Sequence, residues 1–68
     1  ADAVVRTADT VYVFEFKMDE NATAEQALAQ IDEKGYLIPY TAEGRKLVKI
    51  GVEFSAEERG IGRWIVKS

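Results

Sequence analysis

The sequence predicts a small α/β (α+β) domain in which one helix packs on a four-stranded mixed sheet. Two runs of alternating apolar residues precede a single amphipathic segment, and two more follow it. Turn residues separate these runs, so the predicted order is β-β-α-β-β. One short helix cannot cover both sides of a sheet, and we therefore expect one sheet face to be open or covered by a partner.

The strands are predicted from their period of two. The first two strands are expected at residues 1–6 and 10–18, separated by the weak turn signal "TAD". In the second strand, Tyr12, Phe14 and Phe16 point to one face, whereas Val11, Val13, Glu15 and Lys17 point to the other. The third strand is expected at residues 46–54, and "RWIVK" forms the last strand, in which Trp64 is expected to pack on the sheet.

The helix is predicted from its N-terminal cap and its apolar stripe. Thr23 and Gln26 match the capping-box pattern, and Gly35 is a typical stop. The stripe consists of Ala24, Ala27, Leu28 and Ile31. The segment "YLIPYTAEGR" after the helix is expected to be a loop, with an extended portion before Pro39.

The composition excludes several kinds of site. The 68 residues form one domain at most, and a chain this short buries only about 60% of its unfolded surface. Because cysteine and histidine are both absent, disulfides, common zinc sites and imidazole-based triads are excluded. No apolar run approaches the roughly 20 residues that cross a bilayer. We therefore expect a cytoplasmic protein with no membrane partner.

Charge is distributed unevenly along the chain. Residues 1–40 contain three basic and eight acidic residues, whereas residues 41–68 contain six basic and four acidic ones. The net charge is −3. A strongly basic nucleic-acid-binding surface would show a larger excess of cations. Any affinity of these 68 residues for nucleic acid is therefore expected to be weak.

Pairing of the first two strands would bring acidic groups together. In a hairpin with a tight turn at Ala8 and Asp9, Asp2 faces Glu15, and directly opposed residues share a sheet face. Asp2, Glu15 and Lys17 would then converge. Two opposed carboxylates repel each other, but a divalent cation such as Mg²⁺, which takes oxygen ligands, would turn that repulsion into binding. Lys17 could then orient water or stabilise charge on a phosphate, which phosphodiester hydrolysis requires.

A simpler interpretation of the same residues remains open. A Glu-x-Lys pair is common on the solvated face of an antiparallel strand, and the pattern alone favours that interpretation. A register slip of one residue would also move Asp2 to the opposite face. Similarly, Arg59 and Arg63 could contact phosphate, although surface arginines are more often simply solvated.

Three sequence segments add a family resemblance. Asp2 followed by a hairpin and by "EFK" resembles the PD-(D/E)XK nuclease superfamily. The blocks "YVFEFKMDENATAEQALAQIDEKGYLIPY" and "KIGVEFSAEERGIGRW" look like a bacterial nuclease-like family of that superfamily. This resemblance implies a restriction-endonuclease-like core and a Mg²⁺- or Mn²⁺-dependent nuclease whose substrate is nucleic acid, with DNA favoured over RNA and the choice between them left open.

The resemblance also implies roles for individual residues. It identifies Asp2 and Glu15 as metal ligands and Lys17 as the catalytic lysine, with alanine at position 1 where the motif has proline. Some members use a glutamine of the following helix in a QxxxY spacing, for which Gln30 is the candidate. Tyr36 lies six residues after Gln30 rather than four, so it departs from that pattern. From helix geometry alone, Gln30 lies at the edge of the apolar stripe, where it suits either a site or a solvated flank.

The resemblance finally implies a larger setting. We expect the first helix and first strand of the core to precede residue 1, and an AAA-ATPase-like domain to occur in the full-length chain. The alternative is a non-catalytic interaction domain attached to an ATPase module. The exposed edge of the first strand would invite pairing with another chain, so a homodimer is expected under this alternative.

Overall fold

The computed structural model describes residues 1–68 as one mixed sheet with a helix on one side. The strands are β1 (Ala3–Arg6), β2 (Thr10–Lys17), β3 (Lys46–Ser55) and β4 (Gly60–Lys67). The α-helix α1 (Ala24–Glu33) and a 3₁₀ helix at Ile38–Glu43 connect β2 to β3. The predicted β-β-α-β-β order is therefore confirmed. No helix in the structure has the length and apolar character needed to span a lipid bilayer.

The sheet order is β1-β2-β3-β4. The outer pairs are antiparallel, whereas β2 and β3 run parallel. Arg6 pairs with Val11 and Val4 with Val13, which is the predicted hairpin register. Because β2 and β3 are parallel, their carboxyl ends, at Lys17 and Glu53, lie side by side at one edge of the sheet.

The turn between β1 and β2 lacks glycine but is held by side-chain hydrogen bonds. The Thr10 main-chain N–H donates to the Thr7 hydroxyl over 3.1 Å, and the Thr7 and Thr10 hydroxyls each donate to Asp9 Oδ1. Local bonds of this kind take the place of a glycine-based turn. They fix the register that the weak "TAD" signal left open.

The core lies between α1 and the odd-numbered residues of β2. Val11 and Val13 are fully buried against Leu28 and Ile31. At Gly51, a Cβ atom would lie 2.4 Å from the Ala24 carbonyl oxygen. The missing side chain therefore allows the first turn of α1 to sit directly on β3.

The ends of α1 follow the predicted signals. The Thr23 hydroxyl accepts a hydrogen bond from the Gln26 N–H, and the Gln26 side chain accepts one from the Thr23 N–H. Gly35 adopts a left-handed φ of 65°, which ends the helix. The expected loop at 36–45 is wrong in part, because Ile38–Glu43 form a 3₁₀ helix. Pro39 does not prevent that helix, since a proline at its start removes no internal hydrogen bond.

The face opposite α1, here called the open face, is apolar across all four strands. Three rows of paired residues contain no charge: Val5, Tyr12 and Val48; Ala3, Phe14, Ile50 and Val66; and Phe16, Val52 and Trp64. Trp64 lies on this face beside Phe16 and Val52 and is 62% exposed. It lies on the last strand of the sheet, where no element covers it. The expectation of one uncovered sheet face is confirmed.

Candidate functional site

A chain of hydrogen bonds joins three of the predicted site residues on the α1 side of the sheet. Gln30 Nε2 donates to Glu15 Oε2 over 2.6 Å. Lys17 Nζ donates to Gln30 Oε1. The amide is oriented so that its donor faces the carboxylate and its acceptor faces the ammonium group, which is the only orientation that satisfies both neighbours. The Gln30 side chain therefore links the Glu15 carboxylate to the Lys17 ammonium group.

Glu15 lies in the interior of the domain. It is only 6% exposed, and its Oε1 atom is buried without a hydrogen-bond partner. The interpretation of Glu15 as part of a solvated strand face is therefore wrong. A buried polar atom without a partner costs about 1–3 kcal/mol, so the fold maintains an unsatisfied acceptor here.

Asp2 lies beside this chain of hydrogen bonds but is not bonded to it. Its main-chain N–H donates to the Phe14 carbonyl over 3.0 Å, and its Oδ2 accepts the Phe16 N–H over 2.7 Å. These two main-chain groups flank Glu15 on β2. Asp2 is thus fixed next to Glu15, on the β1 side of β2. Its Oδ1 atom makes no hydrogen bond.

Helix α1 holds Gln30 in reach of β2 because its first turn is anchored to β3. Gly51, which pairs with Glu15, admits the Ala24 carbonyl. Two residues along β3, Glu53 Oε1 accepts the Ala24 N–H over 2.9 Å. Gln30 lies six residues after Ala24, so its position over Glu15 depends on this anchor.

Arg63 of β4 completes the anchor. A β-bulge places Gly62 and Arg63 opposite the single residue Glu53. Arg63 Nη2 donates to Glu25 over 2.8 Å, and its Nη1 lies 3.5 Å from Glu53 Oε1. The Arg63 hydrogen bond, with one from the backbone N–H of Glu25 itself, lowers the pKa of Glu25. Glu25 in turn raises the pKa of Arg63. Arg63 is therefore engaged in ion pairs on the protein surface.

Glu53 is not among the predicted site residues, and Tyr36 departs from the QxxxY spacing. The structure places Glu53 next to Lys17 in the sheet, where it caps α1. Glu53 could be linked to the site only through its pairing with Lys17 at the ends of two strands. That pairing is known only when β2 and β3 are known to be parallel. Tyr36 packs against the core cluster and makes no hydrogen bond to Glu15 or Lys17.

The carboxylates offer a partial ligand set for a cation. No group of three or more acidic, histidine or cysteine side chains is arranged to hold a metal ion. Asp2 and Glu15 nevertheless each have one carboxylate oxygen without a hydrogen-bond partner, and that of Glu15 is buried. Hard cations such as Mg²⁺ are commonly held by only one or two carboxylates, with water completing the shell. Asp2 and Glu15 are therefore the residues that would supply carboxylate ligands to a Mg²⁺ or Mn²⁺ ion.

Comparison with known families agrees with this geometry. The sequence model of the PD-(D/E)XK nuclease superfamily matches residues 1–64. The chain belongs to the PD-(D/E)XK nuclease superfamily. Its mixed four-stranded sheet with one helix is consistent with a restriction-endonuclease-like core. Members of this superfamily generally use Mg²⁺ or Mn²⁺.

A curated relative places this superfamily domain in a longer protein. A protein of Azotobacter chroococcum mcd 1, described as an uncharacterized protein in the vnfD 5′ region, is 45% identical over 58 residues. The match covers 85% of this chain but only 11% of the relative. The chain therefore spans about a tenth of the curated relative that it matches. No solved structure matches the chain significantly.

Proposed function

We propose that this PD-(D/E)XK domain is the core of a metal-dependent nuclease that hydrolyses phosphodiester bonds in nucleic acid, DNA rather than RNA. The observation that carries the proposal is the buried Glu15 carboxylate, which has one oxygen held by Gln30 and the other without a partner. An acceptor left unsatisfied in the interior lowers stability, so a ligand for it would offset that cost.

Four residues divide the work in this proposal. Glu15 and Asp2 would hold Mg²⁺ or Mn²⁺, which when bound lowers the pKa of water and neutralises phosphate charge. Lys17 places its positive charge at the strand end, where it would stabilise negative charge that develops on a phosphate oxygen. Gln30 positions both Glu15 and Lys17 through its amide. The Phe16 N–H holds the Asp2 carboxylate in place.

A Mn²⁺ titration followed by backbone NMR tests the metal site. We expect amide signals around Asp2, Glu15 and Lys17 to change together, and we expect Glu15→Ala to abolish that response. Glu33→Ala is the matched control, because Glu33 is an exposed acid with no ion pair. Changes scattered over all acidic residues, or persisting in Glu15→Ala, would contradict the proposal. Mg²⁺-dependent cleavage of DNA, if Lys17→Ala abolishes it, would support nuclease activity in addition to metal binding.

A second candidate is a non-catalytic interaction domain, and the apolar open face favours it. Trp64, Val66 and Ile61 are each more than half exposed on one side of the sheet. Strand β1 is also an edge strand, with Val5 49% exposed. Light scattering distinguishes the candidates, because a homodimer through these surfaces would dissociate in Trp64→Ser. A protein that is monomeric at all concentrations would contradict self-association.

The wider setting is also a proposal. The coverage of the Azotobacter relative supports a role as one domain of a longer chain, in which the remaining core elements and an AAA-ATPase-like domain would lie outside these residues. The cysteine-free composition favours a cytoplasmic setting. Nucleic-acid affinity of these residues alone would be weak, because the net charge is −3.

A further inference from the structure

A cavity of about 300 Å³ lies at the carboxyl ends of the parallel strands β2 and β3. Its lining comes from three chain segments: residues 16–18, residues 52–54 and residues 59–61. In sheets with parallel strands, ligands bind at this end. Its volume is at the small end of the range for ligand pockets, which suits one planar ring system rather than a larger ligand.

The cavity lining combines apolar side chains with charged ones. Five of its nine residues are apolar: Phe16, Met18, Val52, Phe54 and Ile61. Three charged residues also line it: the cations Lys17 and Arg59, and the acid Glu53, whose Oε1 accepts from the Ala24 N–H and faces Arg63. Nucleobases stack on aromatic side chains while cations contact the adjoining phosphates. An apolar cavity with two cations, whose one acid is engaged by the helix N-terminus and Arg63, therefore matches a single nucleotide.

Arg59 is the least expected residue of this lining. It lies at the end of the turn from β3 to β4 and has a φ of 53°, in the left-handed region that residues other than glycine rarely adopt. Glycine or asparagine is usual at such a position. The Arg59 side chain is exposed and makes no ion pair or hydrogen bond within the domain. Its guanidinium group is therefore available at the mouth of the cavity.

Lys17 connects the cavity to the candidate metal site. It lines the cavity and also donates to Gln30, which is bonded to Glu15. The cavity and the candidate metal site therefore share Lys17, whose ammonium group lies on the α1 side of the sheet.

We propose that this cavity binds one unpaired nucleobase, with Arg59 on the adjoining phosphate, and that the preferred substrate is single-stranded nucleic acid. This inference rests on the proposed nuclease function and deepens it. A base that is paired within a duplex cannot enter the cavity, because its faces are covered by neighbouring base pairs. Preference for a single strand follows from the shape of the cavity.

Fluorescence anisotropy in the presence of a chelator tests binding separately from cleavage. The probes are an oligothymidylate of about ten nucleotides, a chain of abasic sugar phosphates of equal length, and a duplex of equal length. We expect the oligothymidylate to bind most tightly. Equal affinity for the oligothymidylate and the abasic chain would overturn the inference, because the cavity would then contribute no base recognition.

Two variants locate the binding. Phe54→Leu keeps the apolar volume but removes the aromatic face, and Arg59→Gly removes the cation while suiting the left-handed backbone. Each is expected to weaken oligothymidylate binding roughly tenfold, within the range of aromatic stacking on a base. Lys46→Ala is the matched control, since Lys46 begins β3 at the opposite end from the cavity. Variants that bind as the control does would overturn the inference.

The Mn²⁺ titration tests the metal site independently of the base-binding cavity. We expect Phe54→Leu and Arg59→Gly to retain the response at Asp2 and Glu15 that the unmodified protein shows. If the protein responds to Mn²⁺ but binds the abasic chain and the oligothymidylate with equal affinity, the metal-site proposal stands and the base-cavity proposal is overturned. If the protein does not respond to Mn²⁺ but its oligothymidylate binding still depends on Phe54 and Arg59, the base-cavity proposal stands and the nuclease proposal is overturned.

Discussion

Gln30 of the helix and Glu15 of the second strand form a 2.6 Å hydrogen bond that joins the helix to the sheet at the candidate site. The same amide accepts from Lys17, so one neutral side chain separates an acidic and a basic group. Glu15 and Lys17 are two residues apart on one strand, but they form no direct ion pair. The amide therefore sets their separation.

Replacement of Gln30 by alanine should lower stability. Glu15 would then have both carboxylate oxygens unsatisfied in a buried position, which costs about 1–3 kcal/mol. Urea unfolding measures the change. Glu33→Ala, on the exposed side of the same helix, should change stability by less than about 0.5 kcal/mol. Equal effects of the two replacements would show that the Gln30–Glu15 hydrogen bond contributes nothing.

Two substitutions at Asp2 distinguish its contribution to stability from its contribution to metal binding. Asp2→Asn keeps an oxygen acceptor for the Phe16 N–H but removes the negative charge, whereas Asp2→Ala removes both. Asp2→Asn should therefore match the unmodified protein in urea unfolding and bind Mn²⁺ at least about tenfold more weakly, a change of roughly 1.4 kcal/mol. Asp2→Ala should lose about 1 kcal/mol of stability as well. Undiminished Mn²⁺ affinity in Asp2→Asn would remove Asp2 from the site.

Gly51→Ala should be strongly destabilising. The added methyl group would lie 2.4 Å from the Ala24 carbonyl oxygen, so the helix would have to move away from the sheet. Overpacking of this kind costs about 1–3 kcal/mol or more. Gly60→Ala is the control within the sheet, because a Cβ atom added there would lie no closer than 3.9 Å to its nearest neighbour, the Glu58 carbonyl oxygen. Thermal unfolding should show a clearly larger loss at Gly51, and the Mn²⁺ response should weaken only there.

The Glu25–Arg63 pair predicts a defined pH dependence. The Arg63 hydrogen bond holds the pKa of Glu25 below its ordinary value of 4.5. A carboxyl group with a lowered pKa in the folded state stabilises the protein above its unfolded pKa, and this contribution is lost as the pH falls through the folded value. In Arg63→Ala, an NMR titration should find the pKa of Glu25 closer to 4.5. An unchanged pKa would assign the shift to the backbone N–H alone.

The sequence predicted the helix well, because local signals specify it. The strand register matched the one predicted for a tight turn, but the weak turn signal did not determine it, and the hydrogen bonds among Thr7, Asp9 and Thr10 do. The alternation through Val11 and Val13 fixes which residues of the second strand share a face, and the Thr23 cap begins the helix where expected. Gln30 could be placed at the edge of the apolar stripe from helix geometry. Its hydrogen bonds to Glu15 and Lys17 required the tertiary position of the helix.

Other features had no local signal. Both faces of the second strand are apolar at Val11, Val13, Tyr12 and Phe14, so the pattern could not decide which face the helix covers. The importance of Gly51 and Glu53 arises from contacts with a helix that is distant along the chain. A glycine in a strand and an acid near a strand end are otherwise unremarkable.

The uncharged open face has a consequence for how nucleic acid would reach the protein. A polyanion that meets the three apolar rows finds no cation to hold it, and its phosphates would have to lose water without compensation. Encounters with the middle of that face, away from the end where Phe16 and Val52 line the cavity, would therefore be unproductive. Under the proposed function, a nucleic-acid strand would instead approach the edge where the strands end, because Arg59 and Lys17 place two positive charges there.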